Sequence, residues 1–113
     1  DAGRAVFVTS GLAQNRWAHW AGYSMTKSAL EAMVSVYAKE CAETSMRVNC
    51  FSPGPTRTDM RAKAMPGEDP LTLPTADEVG AQAVDLCLPS FQDNDAIYKY
   101  AAGGLFKQSN LSV

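Results

Sequence analysis

The sequence has no long apolar run and no excess of one charge. No stretch approaches the roughly 18 consecutive apolar residues of a membrane-spanning helix. No basic segment leads into an apolar stretch and a small-residue cleavage site, as in a secretory leader. Charged residues make up 19% of the 113 residues and the formal net charge is −2, so no basic patch indicates binding to nucleic acid or to an anionic membrane. We therefore expect a cytoplasmic protein that acts on a small molecule.

Cysteine is also scarce. Cys41, Cys50 and Cys87 are odd in number, widely spaced and free of any C-x-x-C pair, which argues against a disulfide framework and against a zinc site. Their neighbours are mostly Ala, Val, Leu and Phe. We expect three reduced cysteines in the core and no metal site.

The length suits one modest domain, and no linker marks a second one. The chain starts at Asp1, without a methionine, and reaches a predicted strand within five residues. We therefore expect it to be part of a longer protein.

The first half of the chain predicts a strand, a long helix and a second strand. Residues 5–9 are β-formers that are apolar on both alternations, typical of a strand covered on both faces. Residues 23–43 have a helical pattern, and residues 46–52 form a second strand that Pro53 and Gly54 terminate. Such a unit has parallel strands. Ser10, the loop over residues 12–22 and the Pro53-Gly54 turn should therefore meet at one edge of the sheet.

The second half predicts shorter elements. Thr58 can cap a helix that ends near residue 65, and the Pro-rich segment 66–74 is expected to be a lid or binding loop. Residues 75–78 form a capping box that opens a helix to about residue 88. A strand over residues 97–100, a turn at Gly103-Gly104 and a loose tail should follow.

The helix predicted over residues 23–43 has more apolar surface than one sheet face needs. Its polar residues form one narrow stripe: Ser24, Ser28, Glu31, Ser35 and Lys39. The apolar residues fill a much wider arc. The surplus indicates a second packing partner, either a neighbouring helix or another subunit. We expect a homo-oligomer formed through this helix.

Three polar residues suggest proton-transfer chemistry. Tyr23 and Lys27 lie four positions apart, which puts both on one helix face about a turn apart. A tyrosine is a poor proton shuttle at neutral pH unless a nearby cation stabilises its phenolate, and Lys27 could supply that charge. Ser10 lies at the tip of the preceding strand, where its hydroxyl could hydrogen-bond a substrate oxygen.

These residues belong to a longer pattern. Residues 6–10 (VFVTS), Tyr23-x-x-x-Lys27 and residues 47–58 (RVNCFSPGPTRT) together resemble the carboxyl half of short-chain dehydrogenases/reductases. The resemblance runs from residue 3 to about residue 88, in the right order and spacing. It implies an α/β fold with a partial doubly wound, Rossmann-like parallel sheet. Residues 1–113 would be the carboxyl-terminal part of a single NAD(P)-binding domain whose amino-terminal, cofactor-binding half is absent.

The resemblance implies a role for each of the three polar residues. Tyr23 would be the catalytic acid/base, and Ser10 would position the carbonyl or hydroxyl of the substrate. Lys27 would stabilise the phenolate and bind the nicotinamide ribose, so that Tyr23 and Lys27 also contact the cofactor. The implied reaction is hydride transfer between NAD(P)H and a carbonyl or alcohol substrate.

The resemblance also implies cofactor contacts for the turn after the second strand. Its residues Pro53, Gly54, Thr56 and Thr58 match the positions that hold the nicotinamide carboxamide. The sequence has no G-x-x-x-G-x-G phosphate loop, and Asn49 lies on the wrong strand for the family's catalytic asparagine. The cofactor is therefore NAD or NADP, and the residue that chooses between them lies upstream.

Several alternatives stay open. Trp17, His19 and Trp20 could line the substrate pocket, or they could pack under their loop or at a subunit contact. A serine hydrolase built on Ser10 and His19 is disfavoured, because the segment lacks the leading glycine of a nucleophile elbow.

Two further alternatives concern the role of three basic side chains and whether the protein is an enzyme. Arg57, Arg61 and Lys63 could meet an anionic substrate or cofactor phosphates, or they could form a solvated helix face. The rival to an oxidoreductase is a non-catalytic fragment or dimerisation module that packs through its long apolar helix.

Overall fold

The computed structural model describes residues 3–101 and 104–110. In chain order the elements are β1 (Arg4–Val8), a 3₁₀ turn (Gly11–Ala13), α1 (Ala21–Glu40), β2 (Arg47–Ser52), α2 (Asp59–Ala64), a 3₁₀ turn (Pro70–Thr72), α3 (Ala76–Asp85), β3 (Ala96–Ala101) and β4 (Gly104–Asn110). The predicted sequence of strand, long helix and strand is confirmed, as is the capping box at Thr75 and Glu78.

The strands form one sheet in the order β1-β2-β3-β4. β1 and β2 are parallel, with Val8 opposite Phe51, and β2 and β3 are parallel, with Cys50 opposite Ile97. The carboxyl ends of these three strands therefore lie at one edge of the sheet. β4 is antiparallel to β3, as expected of a strand that returns through a tight connection.

β4 corrects the prediction of a loose tail. Residues 108–110, assigned to that tail, belong to the strand. The sequence signal is weak, because only Leu105 and Phe106 are apolar in this strand. Gly104 begins β4, whereas Gly103, the other half of the predicted turn, and residues 111–113 of the predicted tail lie outside the described residues.

The two helix ends also differ from the prediction. α1 begins at Ala21 and ends at Glu40, since the N–H groups of Ala42 and Thr44 bond to the carbonyls three residues before them, in turns that close the helix. α3 ends at Asp85, three residues before the predicted end. Both misses lie at helix termini, where the sequence pattern is least informative.

Helices cover both faces of the sheet. Val34 and Ala38 of α1 pack on Val48 and Cys50 of β2, together with Ile97 of β3. On the opposite face Phe51 packs with Val79 and Leu86, which lie in and directly after α3. This alternation along β2 is that of a doubly wound α/β sheet, and the predicted fold class is confirmed.

The three cysteines differ in environment. Cys50 is fully buried, and its desolvation, aided by the negative charge of Glu31, raises the pKa of its thiol to about 12. Such a thiol is inert. Cys41 is half-buried, and Cys87 is exposed in the turn that follows α3. The prediction of a core cysteine is therefore wrong for Cys87.

The polar stripe of α1 turns partly toward the sheet. Ser35 is buried and accepts a hydrogen bond from the Lys39 ammonium, and Glu31 is half-buried. By contrast, Met25 and Val36 are 69% and 58% exposed. The apolar surplus predicted for this helix therefore lies on its exposed side.

The buried side-chain amide of Asn49 links β2 to the start of β3. The Asn49 side chain is about 1% exposed; its Nδ2 donates to the Asp93 carbonyl at 2.9 Å, and its Oδ1 accepts from the Ala96 N–H at 3.1 Å. One side chain on β2 thus joins the start of β3 and the segment before it.

Replacing Asn49 by alanine is expected to lower the free energy of unfolding by about 2–4 kcal/mol, because it leaves a buried donor and a buried acceptor unpaired and opens a small cavity. Urea denaturation of the protein that carries this chain measures the change. Ser90→Ala, at an exposed position, serves as the control and should stay within about 0.5 kcal/mol of the wild type. Equal stability of the two variants would contradict a structural role for Asn49.

Within residues 3–101 and 104–110, no helix is both long enough and apolar enough to cross a membrane. The same part of the chain contains no cluster of three His, Cys, Asp or Glu side chains arranged to hold a metal ion.

Candidate active site

The candidate site lies where β1 and β2 end side by side. Just beyond β1, the Thr9 N–H donates to the Phe51 carbonyl at 2.8 Å. Ser10 follows β1 and Pro53 follows β2, so these two predicted site residues leave adjacent strands at the same edge. This edge is where open α/β sheets bind their ligands.

Ser10 is fixed in an extended backbone conformation, and its side chain caps the 3₁₀ turn that follows. Its Oγ accepts a hydrogen bond from the Leu12 N–H at 3.2 Å. A hydroxyl that accepts in this way still has its own proton to donate. Ser10 is half-buried, so that proton can reach a small molecule at the edge of the sheet.

Tyr23 and Lys27 lie on the first turns of α1. The Lys27 Nζ is 5.8 Å from the centroid of the Tyr23 ring and donates to the Val8 carbonyl at 3.1 Å. The ammonium therefore connects the phenol of Tyr23 with the end of β1. Both side chains are half-buried, which strengthens their electrostatic interaction relative to bulk water.

In the loop before α1, Trp20 is packed, whereas Trp17 and His19 are exposed. Trp20 packs edge-on against Tyr23, with ring centroids 5.8 Å apart, and so buttresses the phenol. Trp17 is 53% exposed, in contrast to the burial expected for a tryptophan. His19 is exposed and has a φ of +73°, in the left-handed region that a non-glycine residue seldom adopts.

The turn after β2 has a shape that requires glycine. Gly54 has a φ of +72°, and a Cβ there would lie 3.5 Å from the Tyr100 carbonyl oxygen. The Thr56 hydroxyl donates back to the Gly54 carbonyl at 3.0 Å. Thr58 caps α2 by accepting from the Arg61 N–H at 3.1 Å. The predicted capping role of Thr58 is confirmed.

This turn forms one wall of an apolar cleft. The cleft has a volume of about 300 Å³ and is lined by Pro53, Gly54, Pro55, Thr72, Leu73, Pro74, Lys99, Tyr100 and Ala101. It lies between the carboxyl ends of β2 and β3 and the segment predicted as a lid. A small substrate fits a space of this size.

Two arginines bind the segment predicted as a lid, residues 66–74. Arg61 forms a bidentate pair with Glu68, with Nε–Oε1 and Nη2–Oε2 distances of 2.7 and 3.0 Å. Arg57 donates to the carbonyls of Pro70 and Leu73 at 3.0 and 3.1 Å. Arg61 is thus engaged within the protein, which was not predicted, whereas Arg57 and Lys63 are exposed, as a solvated face predicts.

The pKa of Glu68 is lowered from 4.5 by its hydrogen bonds from Arg61. Because the folded-state pKa is depressed, the pair stabilises the segment at pH values above 4.5 and is lost as the pH falls through the folded-state pKa. At neutral pH the pair is therefore present.

The contacts of Glu31 at this edge are not predicted from the sequence. Glu31 lies on α1 one turn beyond Lys27, and its carboxylate accepts a hydrogen bond from the Thr9 hydroxyl and another from the Gln14 side chain. Its place in the narrow polar stripe is the signal that the sequence contains, and by itself this stripe predicts only a polar helix face.

Comparison with known proteins identifies relatives of this chain. A model of the short chain dehydrogenase family matches residues 1–69. The uncharacterized oxidoreductase YciK of Escherichia coli strain K12 is 44% identical over 79 residues, 70% of this chain and 31% of that protein. NADPH-dependent aldehyde reductase 2, chloroplastic, of Arabidopsis thaliana is 40% identical over 58 residues, 51% of this chain and 21% of that protein.

Solved structures agree with the sequence comparison. A short chain dehydrogenase from Salmonella enterica serovar Typhi superimposes with a TM-score of 0.82 at 38% identity, over 88% of this chain and 41% of that one. A short chain dehydrogenase from Shigella flexneri 2a, solved in complex with NADP, gives a TM-score of 0.77 at 38% identity, over the same shares of the two chains. The chain thus spans between about a fifth and two fifths of the length of these relatives.

Proposed function

Because this chain belongs to the short-chain dehydrogenase/reductase family, we propose that the protein carrying it is an NAD(P)-dependent oxidoreductase that acts on a carbonyl or alcohol substrate. The observation that carries the proposal is the position of the Lys27 ammonium, 5.8 Å from the centroid of the Tyr23 ring and bonded to the strand end that leads into Ser10. This supports a proton donor, a cation and a hydroxyl near the carboxyl end of β1, at the edge of the sheet where ligands bind.

Each of the three residues has a distinct role in the proposed reaction. In the reducing direction, Ser10 donates a hydrogen bond to the substrate carbonyl and holds its oxygen beside Tyr23. The Tyr23 hydroxyl transfers its proton to that oxygen, and the positive charge of Lys27 stabilises the phenolate that remains. In the oxidising direction the phenolate of Tyr23 accepts the proton of the alcohol.

The bound nicotinamide cofactor would supply or accept the hydride. The residues present fit the nicotinamide end of such a cofactor. An ammonium has three donors, and the structure assigns one Lys27 donor to the Val8 carbonyl, which leaves two for ribose hydroxyls. Pro53, Gly54, Thr56 and Thr58 would hold the carboxamide.

The rest of the cofactor needs residues that this sequence does not supply, since it has no glycine-rich phosphate loop. We therefore propose that residues 1–113 form the carboxyl-terminal part of one NAD(P)-binding domain. The relatives include proteins described as NADPH-dependent, and the proposal leaves NAD or NADP open for this chain. A cytoplasmic location stays a prediction, which cell fractionation would test.

A substrate survey tests the proposed reaction class. We expect the full-length protein to consume NADPH or NADH when small aldehydes or ketones are added, and to reduce the oxidised cofactor when the matching alcohols are added. Nicotinamide absorbance follows both directions, with each substrate omitted in turn as the control. A protein that binds the cofactor but turns over no carbonyl or alcohol in either direction would contradict the proposal.

The exposed apolar side of α1 supports a second proposal, that two copies pack through this helix. Met25, Met33 and Val36 are 69%, 45% and 58% exposed, a costly arrangement for a helix in water. The same surface would serve the rival function, a non-catalytic dimerisation module. The two functions differ in whether the full-length protein turns over a carbonyl or alcohol substrate at all.

A charge placed on this surface should dissociate the oligomer. We expect Val36→Glu to convert a dimer or larger assembly into a monomer in light scattering, because burying an unpaired carboxylate costs several kcal/mol. Ala42→Glu, at an exposed position beyond the end of α1, is the control and should leave the mass unchanged. A wild-type protein that is already monomeric would refute the proposed contact.

A further inference from the structure

A single carboxylate binds the chain on both sides of Ser10. The Thr9 hydroxyl donates to Glu31 Oε2 at 2.5 Å, and the Gln14 Nε2 donates to Glu31 Oε1 at 2.9 Å. Thr9 immediately precedes Ser10, and Gln14 closes the 3₁₀ turn that Ser10 caps. Each carboxylate oxygen therefore holds one end of the segment that presents the Ser10 hydroxyl.

Two further bonds from α1 reach the same segment. The Lys27 Nζ donates to the Val8 carbonyl at 3.1 Å, and the Ser28 hydroxyl donates to the Ala13 carbonyl at 3.1 Å. These two contacts also lie on opposite sides of Ser10 in sequence. The helix that presents Tyr23 is thus joined to the Ser10 segment at four points.

Of the four contacts, the one between Glu31 and Thr9 is the most buried, whereas Gln14 lies at an exposed position. Thr9 is only 3% exposed and Glu31 is half-buried, so their hydrogen bond is poorly screened by water and is charge-assisted. Glu31 lies four residues beyond Lys27 and eight beyond Tyr23, on the same helix face. Movement of the carboxylate would shift Ser10 relative to Tyr23.

We propose that Glu31 is a positioning residue, whose two hydrogen bonds to Thr9 and Gln14 hold the Ser10 hydroxyl in register with the phenol of Tyr23. The inference rests on the proposed function of Ser10 and Tyr23. It adds that catalysis depends on the geometry of the Glu31 bonds and not on the charge of its carboxylate.

The comparison of Glu31→Leu with Glu31→Gln separates geometry from charge. Leucine removes both hydrogen bonds. Glutamine can keep both, since its Oε1 accepts from Thr9 and its Nε2 donates to the Gln14 amide oxygen once the Gln14 amide rotates, together with the amide of the exposed Gln108 that now donates to this oxygen at 2.8 Å. We expect kcat to fall about 10- to 100-fold in Glu31→Leu, as a small misplacement of a reacting group does, and to stay within about threefold of the wild type in Glu31→Gln. The KM for the cofactor should change less than about twofold in both variants.

Thr9→Val gives an independent measurement if Glu31→Leu does not fold. Valine has nearly the shape of threonine and removes only the hydroxyl that donates to Glu31, so we expect a fall in kcat of about tenfold. Glu40→Leu is the matched control, because Glu40 is an exposed glutamate on the same helix; its kcat should equal that of the wild type. All variants are assayed in the full-length protein.

The outcomes separate this inference from the proposed function. A wild-type kcat in Thr9→Val or in Glu31→Leu, together with an inactive Tyr23→Phe, would overturn the role of Glu31 alone. An equal loss in Glu31→Gln and Glu31→Leu would overturn it as well, since charge and not position would then matter. Retained activity in Tyr23→Phe would instead remove Tyr23 from its proposed role in proton transfer, and absence of turnover in the wild type would refute the proposed function itself.

Discussion

Replacement of Tyr23 by phenylalanine in the full-length protein is expected to abolish turnover while the affinity for the nicotinamide cofactor stays nearly unchanged. The substitution removes the hydroxyl that would protonate the substrate oxygen and keeps the ring that packs against Trp20. General acid–base catalysis contributes about 10²- to 10⁴-fold to a rate, so kcat should fall by at least this amount. Steady-state kinetics and a fluorescence titration with the reduced cofactor measure the two quantities separately.

Tyr37→Phe is the matched control for this measurement. Tyr37 lies on the same helix, is half-buried and packs edge-on against Phe7 with ring centroids 6.3 Å apart. Loss of its hydroxyl should leave kcat within about twofold of the wild type. If Tyr23→Phe retains the activity of this control, Tyr23 has no part in proton transfer. Another group would then have to protonate the substrate oxygen, whereas the rival interpretation, a packing module without catalysis, is favoured only if the wild-type protein itself shows no turnover.

The sequence predicts the central part of the fold because its signals there are strong. β1 contains the apolar run Ala5–Val8, β2 contains Val48, Cys50 and Phe51, and Pro53 and Gly54 terminate the second strand. Thr58 and Thr75 cap their helices as predicted. In contrast, β4 has few apolar residues, and its pairing with β3 depends on tertiary contacts that no local pattern encodes.

The orientation of α1 could not be obtained from its amphipathic pattern. A helix is expected to place its polar residues in water, yet Ser35 is buried and Glu31 is bonded to Thr9. Hydrogen bonds to partners distant in sequence stabilise these residues at the sheet. The partners lie 22 positions apart in the case of Thr9 and Glu31, so only the folded chain reveals the contact.

At the candidate site, too, some features are predicted from the sequence and others need the folded chain. Ser10, Tyr23 and Lys27 are identified by their spacing and by the family resemblance, and the structure brings the Lys27 ammonium beside the Tyr23 ring. The pairing of Arg61 with Glu68 is not predicted from the sequence, because Arg61 lies on α2 and Glu68 lies in the irregular segment that follows it. Exposed charges predict solvation by default, and a bidentate ion pair needs the geometry of both side chains.

Replacement of Lys27 by methionine should impair both turnover and cofactor binding, which distinguishes it from Tyr23→Phe. Methionine keeps most of the aliphatic stem but removes the charge beside the phenol and the donors proposed for the ribose hydroxyls. Loss of one such electrostatic contact costs about 10²- to 10³-fold in kcat. We also expect the dissociation constant of the cofactor to rise about tenfold, as the loss of a hydrogen bond worth about 1.4 kcal/mol would predict.

Lys39→Met supplies the control for Lys27→Met, since it removes the same charge from the far end of α1, where Lys39 pairs with Asp95 at 3.4 Å. Its kcat and its cofactor affinity should match those of the wild type. A Lys27→Met variant with reduced kcat but normal cofactor affinity would limit the role of Lys27 to stabilising the phenolate of Tyr23. A variant with normal kcat and weak cofactor binding would limit its role to binding the ribose. Because one ammonium lies between the Tyr23 ring and the end of β1, we expect both quantities to change together.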